Sequence, residues 1–355
     1  MCIAQLASVR CRTPSNVVRN IRDRCTDANV AFTSNVSAPT RHLSVRRGMS
    51  TNSTIEWTET TWNPTTGCDR ISPGCDNCYA LALAKRLKAM GSAKYQVDGD
   101  PRTSGPGFGV MVHPSVIDEP LKWRTPRKVF VNSMSDIAHV RVGTEDVARI
   151  WAVMALTSRH QYQVLTKRPK RLAKMLLNPA FAALVAQEAT NIIERTPPHL
   201  GRWRLDLAGD RVAGDSGLGD KWAAKETADG MLWSPPWPLP NVWVGTSIEL
   251  DEYCWRADVL RTIPAAVRFL SCEPLLGPLP SLDLTGIDWL IVGGESGANS
   301  RPLNMHWVRD LRDRRGDTAL FFKQVGGLTP KAGGRLLDGR TWDEYPVIDR
   351  EEVHV

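Results

Sequence analysis

The chain has 355 residues, 42% hydrophobic and 23% charged, proportions ordinary for a globular protein with room for one sizeable core. No uninterrupted apolar stretch approaches the roughly 18 residues of a membrane span, so a cytoplasmic protein without membrane association is expected. The net charge of +7 is local, because eight of the 45 Lys and Arg residues but two of the 38 Asp and Glu residues fall in residues 1–48; the remaining chain is close to neutral, which argues against nucleic-acid binding by global charge.

Residues 1–48 are rich in Ser, Thr, Asn and Arg without apolar periodicity, and they read as a disordered basic extension. They have the composition of a targeting peptide but lack the apolar core of a secretory signal. Met49 opens the stretch MSTNSTIEWTETTWNP, which reads as the start of a compact domain. Residues 1–48 are therefore expected to be either such an arm or the product of an upstream start-site assignment. The main domain is expected over 49–345, followed by a tail over 346–355.

Within the domain a weak first strand is placed inside Ile55–Trp62. A cysteine-bearing loop follows, then a helix over Cys78–Met90 closed by Gly91. Residues 91–109, rich in Gly, Pro and Ser, read as an insertion. The run KVFVNSM (Lys128–Met134) reads as a buried strand, and a helix enters at Thr144 with Glu145 and Asp146 in its first turn. Further strands are YQVLTK (Tyr162–Lys167), NVWVGTS (Asn241–Ser247), VRFLSCEP (Val267–Pro274), DWLIVGGES (Asp288–Ser296) and ALFFKQ (Ala319–Gln324). Helices are expected over Glu249–Ile263 and Asn304–Arg315. A second insertion over 201–240 carries Trp203, Trp222, Trp233 and Trp237, and reads as a lid, a partner surface or a variable surface excursion.

Alternating strands and helices imply a parallel sheet, and no Gly-rich dinucleotide fingerprint follows the first strand. The expected fold is an α/β parallel barrel, TIM-like and open or partial. Nearly every strand run ends in polar residues: Asn132, Ser133 and Asp136; Thr166 and Lys167; Thr246 and Ser247; Ser271 and Glu273; Glu295 and Ser296; Lys323 and Gln324. Parallel strands bring these ends to one rim, where active sites of such barrels lie. Single strand ends are often merely solvated and capped, but repetition over six strands favours a polar pocket.

Of the eight cysteines, Cys68, Cys75 and Cys78 crowd into eleven positions as C-x6-C-x2-C, unlike the distributed pairs of a disulfide framework. Pro64, Gly67, Pro73 and Gly74 let this loop curl, and Cys78 stands at a helix start that favours thiolate charge. Three thiolates leave one position of a four-iron cluster, or of a zinc ion, open. A zinc site would need a fourth ligand, for which Cys272 or His139 is the candidate.

The run NPTTGC (Asn63–Cys68) followed by CDNCYA (Cys75–Ala80) resembles the opening of spore-photoproduct-lyase-like radical-SAM proteins. The stretches VFVNSMSDIAH, VLTKRP, VWVGTSIE, RFLSCEPLLGPL, DWLIVGGESG and FFKQVGG extend the likeness, over most of Thr54–Gly327, to a bacteriophage-associated three-cysteine-motif family. The resemblance implies a [4Fe–4S] cluster on Cys68, Cys75 and Cys78. It further implies S-adenosylmethionine chelated at the open iron and cleaved reductively to start radical chemistry. An electron donor and a phage-encoded partner protein are its implied partners. The usual spacing is C-x3-C-x2-C, and Asn77 here takes the place of an aromatic residue, so cluster binding carries over more readily than the cleavage chemistry. A Gly-Gly-Glu triplet at Gly293–Glu295 follows a late strand rather than the second, so the role of that element in radical-SAM proteins is not transferred to it.

The candidate site residues are then Glu273, for ribose hydroxyls or an ammonium group; Lys167 and Lys323, for a carboxylate or phosphate; and Asp136, to orient substrate. Ser133, Ser247, Ser271 and Glu295 are candidates for holding the cofactor. Lys85, Arg86 and Lys88 on one helix, and Lys167, Arg168, Lys170 and Arg171 after a strand, suggest a nucleic-acid or nucleotide substrate. The rival is a zinc-binding, non-catalytic nucleic-acid-binding protein.

Overall fold

The computed structural model describes residues 53, 55–196, 222–228, 230–329 and 332–347. The basic extension over 1–48, Trp203 and most of the second insertion, and residues 348–355 of the expected tail lie outside the described residues.

Seven strands form one sheet: β1 (Thr60–Trp62), β2 (Lys128–Val131), β3 (Gln161–Thr166), β4 (Val242–Ser247), β5 (Val267–Cys272), β6 (Trp289–Gly293) and β7 (Ala319–Gln324). They lie side by side in sequence order, and every neighbouring pair is parallel. β1 and β7 are not paired to each other, so the sheet is open, as a partial barrel is. The main helices are α1 (Tyr79–Ala89), α2 (Thr144–Leu156), α3 (Pro169–Leu176), α4 (Pro179–Arg195), α5 (Trp255–Thr262) and α6 (Met305–Arg314). None of the described helices is long and apolar enough to cross a membrane.

Side-chain alternation along the strands separates two cores. Val129, Val131, Tyr162, Val164, Val242, Val244, Leu270, Leu290, Val292, Leu320 and Phe322 face the helices. The residues between them, Phe130, Trp243, Phe269, Trp289, Ile291 and Phe321, gather with Trp57 on the opposite face. The ring of Trp57 lies 4.7 Å from that of Phe130 on β2 and 6.1 Å from that of Trp289 on β6. In a flat sheet those strands would stand about 19 Å apart. One indole touching both requires the sheet to curl, with an aromatic plug filling its concave side. Gly245 makes room for this plug, since a Cβ there would come within 2.5 Å of the Phe269 ring.

The free edge of β7 is covered by the chain that follows β7. Phe322 N donates to Trp342 O at 2.8 Å, and Tyr345 lies 5.0 Å from Trp289 with Lys128 Nζ 3.9 Å over its ring. The free side of β7 is thus covered and bridged toward β2, as an edge strand requires.

The first strand, Thr60–Trp62, lies inside the expected span, while two helix starts differ from expectation. The helix expected from Glu249 begins at Trp255, because Glu249 is fully buried in an ion-pair network and the chain makes a 3₁₀ turn at Asp251–Tyr253 first. Asn304 is the cap of α6, its side chain accepting from His306 N at 2.9 Å. The described end of the second insertion forms a hairpin, Ala223–Thr227 with Gly230–Ser234, whose Trp233 N donates to Thr190 Oγ1 on α4 at 3.0 Å.

Candidate functional site

The cysteine loop is set by a glycine. Gly67 has φ +83°, its N–H donates to Met134 O at 2.9 Å, and a Cβ there would lie 2.1 Å from the carbonyl oxygen of Gly109. Only glycine fits so close a backbone approach, and the result is that Cys68 is delivered to the mouth beside the end of β2. Pro73–Cys75 form a 3₁₀ turn, and Cys78 is the N-cap of α1.

Each end of the loop is held by a different part of the sheet. On the β2–β3 side, Arg168 Nη1 donates to Cys68 Sγ at 3.3 Å and to Asp136 Oδ2 at 3.1 Å, while Nη2 donates to Asp69 O at 3.0 Å. On the β6 side, Asn77 Nδ2 donates to Glu295 Oε2 at 2.9 Å and to Asn299 O at 2.8 Å, and Arg301 donates to Pro73 O at 2.7 Å. Arg301 also pairs with Glu295. Burial disfavours the charged form of Glu295, but hydrogen bonds from Arg301 and Asn77 outweigh it and hold the carboxyl below its usual range.

Cys68, Cys75 and Cys78 all line one cavity of about 750 Å³ on the concave side at the carboxyl ends of the strands. Ser133, Asp136, Lys167, Ser247, Ser271, Glu273, Glu295 and Lys323 line it as well, so every candidate site residue borders a single space. Lys323 and Glu273 form an ion pair there, with side chains 17% and 18% exposed. Ser247 and Ser271 are register partners on β4 and β5. Ser133 Oγ bonds to Asn63, and Ser133 O accepts from Tyr79 OH at 2.6 Å.

Asp136 is committed inside the protein: Oδ1 accepts from Thr166 Oγ1 at 2.6 Å and Ala138 N at 3.0 Å, and Oδ2 from Lys167 N at 3.0 Å. Lys167 Nζ donates to Glu249 Oε2 at 3.3 Å, which also accepts from Arg256 Nη1 at 3.0 Å. Burial would raise the Glu249 carboxyl, yet Lys167 and Arg256 prevail and its pKa is lowered. Glu249 lies directly beneath Gly74, where a Cβ would come 3.0 Å from its Cδ. Sequence reading placed Glu249 at a helix start and missed this role; the buried pairing of a Glu with two cations has no local signal.

Burial pushes the Cys68 thiol up to about 12, the Asp136 charge adding to it and Arg168 opposing it. Burial likewise raises the Cys78 thiol. The donor chemistry suits a thiophilic centre, three sulfurs on one wall with a helix start and cations beside them. Among the described residues, however, no group of three His, Cys, Asp or Glu side chains is gathered closely enough to hold a metal ion. The two candidate fourth ligands for zinc are committed elsewhere. Cys272 is fully buried in the helix-facing core, and both ring nitrogens of His139 are bonded, Nε2 to Asp69 at 2.9 Å and Nδ1 from Arg141 N at 3.1 Å.

The basic run after β3 is engaged by the protein itself, although Lys170 is exposed. Lys167 and Arg168 serve as above, Lys170 Nζ stacks 4.4 Å over Trp255, and Arg171 donates to His139 O and to Val142 O at 2.7 Å. On α1, Lys88 pairs with Asp98 while Lys85 and Arg86 are exposed.

Fold and site together define an open seven-stranded α/β barrel with a three-cysteine loop laid across its carboxyl-end mouth. The chain belongs to the family described as "Protein of unknown function (DUF5131)", which matches residues 52–346. No curated protein and no solved structure matches it.

Proposed function

We propose that this protein is an iron–sulfur enzyme of the radical-SAM kind, modifying or repairing a nucleobase, a nucleic acid or a related metabolite. The observation that carries the reading is that Cys68, Cys75 and Cys78 border the same cavity as Glu273, Lys323 and the other polar strand ends. Its resemblance to spore-photoproduct-lyase-like proteins rests on the NPTTGC and CDNCYA stretches, and its resemblance to the bacteriophage-associated three-cysteine proteins on the stretches from VFVNSMSDIAH to FFKQVGG.

In this reading the thiolates of Cys68, Cys75 and Cys78 would hold a [4Fe–4S] cluster. When bound, that cluster supplies single electrons for reductive cleavage of the sulfonium of S-adenosylmethionine. The chain's own residues do the rest. Ser133, Ser247 and Ser271 would meet the cofactor's polar groups, and Glu295, whose carboxylate Asn77 and Arg301 engage, borders the same cavity. Lys167, already paired with Glu249, lines the cavity, and the Glu273–Lys323 pair offers one group of each sign. The aromatic plug closes the cavity from below and excludes water from the reacting end. A volume of about 750 Å³ suits a nucleoside-sized ligand. An electron donor is a required partner, and a phage-encoded protein a further one. Free thiols at all five described cysteines suit the reducing cytoplasm.

Anaerobic reconstitution, with iron and sulfide counted per chain, tests the cluster; formation of 5′-deoxyadenosine from S-adenosylmethionine on reduction tests the chemistry. Replacement of Cys68, Cys75 and Cys78 singly by Ala should each lower the iron content. Unchanged iron in all three variants would defeat the assignment.

A further inference from the structure

The guanidinium of Arg168 is fixed on three sides, by Cys68 Sγ at 3.3 Å, Asp136 Oδ2 at 3.1 Å and Asp69 O at 3.0 Å. Its own backbone is held too, the N–H donating to Thr166 Oγ1 at 2.8 Å. Asp136 cannot turn away, because Thr166, Ala138 N and Lys167 N all donate to it. The side chain is 16% exposed, so the charge is only partly screened by solvent. A surface arginine serving solubility or nucleic acid would not be built in this way.

A cationic donor aimed at a ligand sulfur has a specific consequence for a redox centre. Hydrogen bonds to ligand sulfurs and nearby positive charge stabilise the form carrying the extra electron, and so raise the reduction potential. We infer that Arg168, oriented by Asp136, sets the reduction potential of the centre held by Cys68, Cys75 and Cys78. This inference rests on the iron–sulfur reading above. Arg168 is the contact that acts on the sulfur, and Asp136 is a positioning residue behind it. Asp136 disfavours the Cys68 thiolate, and the Arg168 guanidinium, bonded to both groups, opposes that effect.

The test compares reconstituted unsubstituted protein with Arg168→Gln and Arg168→Lys, recording iron per chain and the midpoint of an anaerobic redox titration followed by electron paramagnetic resonance, without S-adenosylmethionine. Equal iron content is expected, with the Arg168→Gln reduction equilibrium about tenfold less favourable, roughly 59 mV for a one-electron couple. Arg168→Lys keeps the charge but loses the planar fork, and a smaller fall in the same direction is expected. A midpoint for Arg168→Gln within twofold of the unsubstituted equilibrium overturns the inference while leaving the cluster intact. If Arg168→Gln holds no iron, Arg168→Lys decides: a lowered midpoint supports the inference, and an unchanged one overturns it. Loss of iron from both variants makes Arg168 a requirement for assembly and overturns the tuning role. Absence of iron from the unsubstituted protein removes the underlying reading instead.

Discussion

Asn77 donates through Nδ2 to the carboxylate of Glu295 at 2.9 Å, joining the C-terminal end of the cysteine loop to the segment just after β6 across 218 positions of sequence. Arg301 completes the clasp by bonding both Glu295 and Pro73 O. The loop is therefore braced against the far side of the mouth through one nearly buried carboxylate.

Glu295→Ala should leave Asn77 and Arg301 without their acceptor and free the Pro73–Cys78 segment. The expected loss of stability is about 1–3 kcal/mol, the cost of removing one partner from a buried polar cluster. Cys75 and Cys78 should be alkylated faster than in the unsubstituted chain, while buried Cys272 should not change. Denaturant unfolding and peptide-resolved thiol labelling measure both; equal labelling of Cys75 and Cys78 in the two proteins would show that the clasp does not restrain the loop.

Gly67→Ala meets two obstacles together, a φ of +83° and a Cβ 2.1 Å from a backbone oxygen. It should cost about 2 kcal/mol or more and displace Cys68. Gly91 supplies the comparison: its φ is +75° but nothing lies within 4 Å of the added Cβ. Gly91→Ala should cost only the conformational share, about 1 kcal/mol. Equal unfolding midpoints for the two variants would contradict the close approach at Gly109.

The strands were legible because burial on both faces makes them continuous β-branched and aromatic runs, and their polar ends marked the rim. The cysteine loop announced itself by spacing. What the sequence did not reveal is which polar residues face the cavity free and which are consumed by neighbours. Asp136 reads as a rim carboxylate yet is saturated by Thr166, Ala138, Lys167 and Arg168, and Arg168 reads as part of a basic run yet is aimed at Cys68. Apart from the Ala138 contact, these pairings join residues 30 to 100 positions apart, where no local periodicity reports them. Helices α3 and α4 did carry a local sign that went unused, a proline at each helix start.

Glu249 and Arg256 are 1% and 2% exposed, and Lys167 completes their cluster. Glu249→Ala should strand a buried arginine and cost about 3–5 kcal/mol. Replacing both partners by apolar residues of similar size, Glu249→Leu with Arg256→Met, should recover most of that loss, because the desolvation of both charges disappears together. Chemical denaturation of the single and double variants measures the difference. A double variant as unstable as Glu249→Ala would mean that the pair does more than satisfy itself, with the support of Gly74 and the cysteine loop as the remaining candidate.

His160 gives the protein an acid-sensitive element away from the mouth. The ring is buried against Trp123 at 5.6 Å and Tyr162 at 6.0 Å, and burial, reinforced by Arg159 and Arg127, lowers its pKa to about 3. The folded state therefore keeps the imidazole neutral while the unfolded chain binds a proton below its usual value of about 6.5. Stability from this group is complete above pH 6.5 and declines as pH falls toward 3, by about 2 kcal/mol between pH 8 and pH 5. His160→Phe removes the titrating group while keeping an aromatic ring in place, so its unfolding free energy should vary less over that interval. Parallel pH dependences for the two proteins would show that His160 does not supply the acid-linked loss.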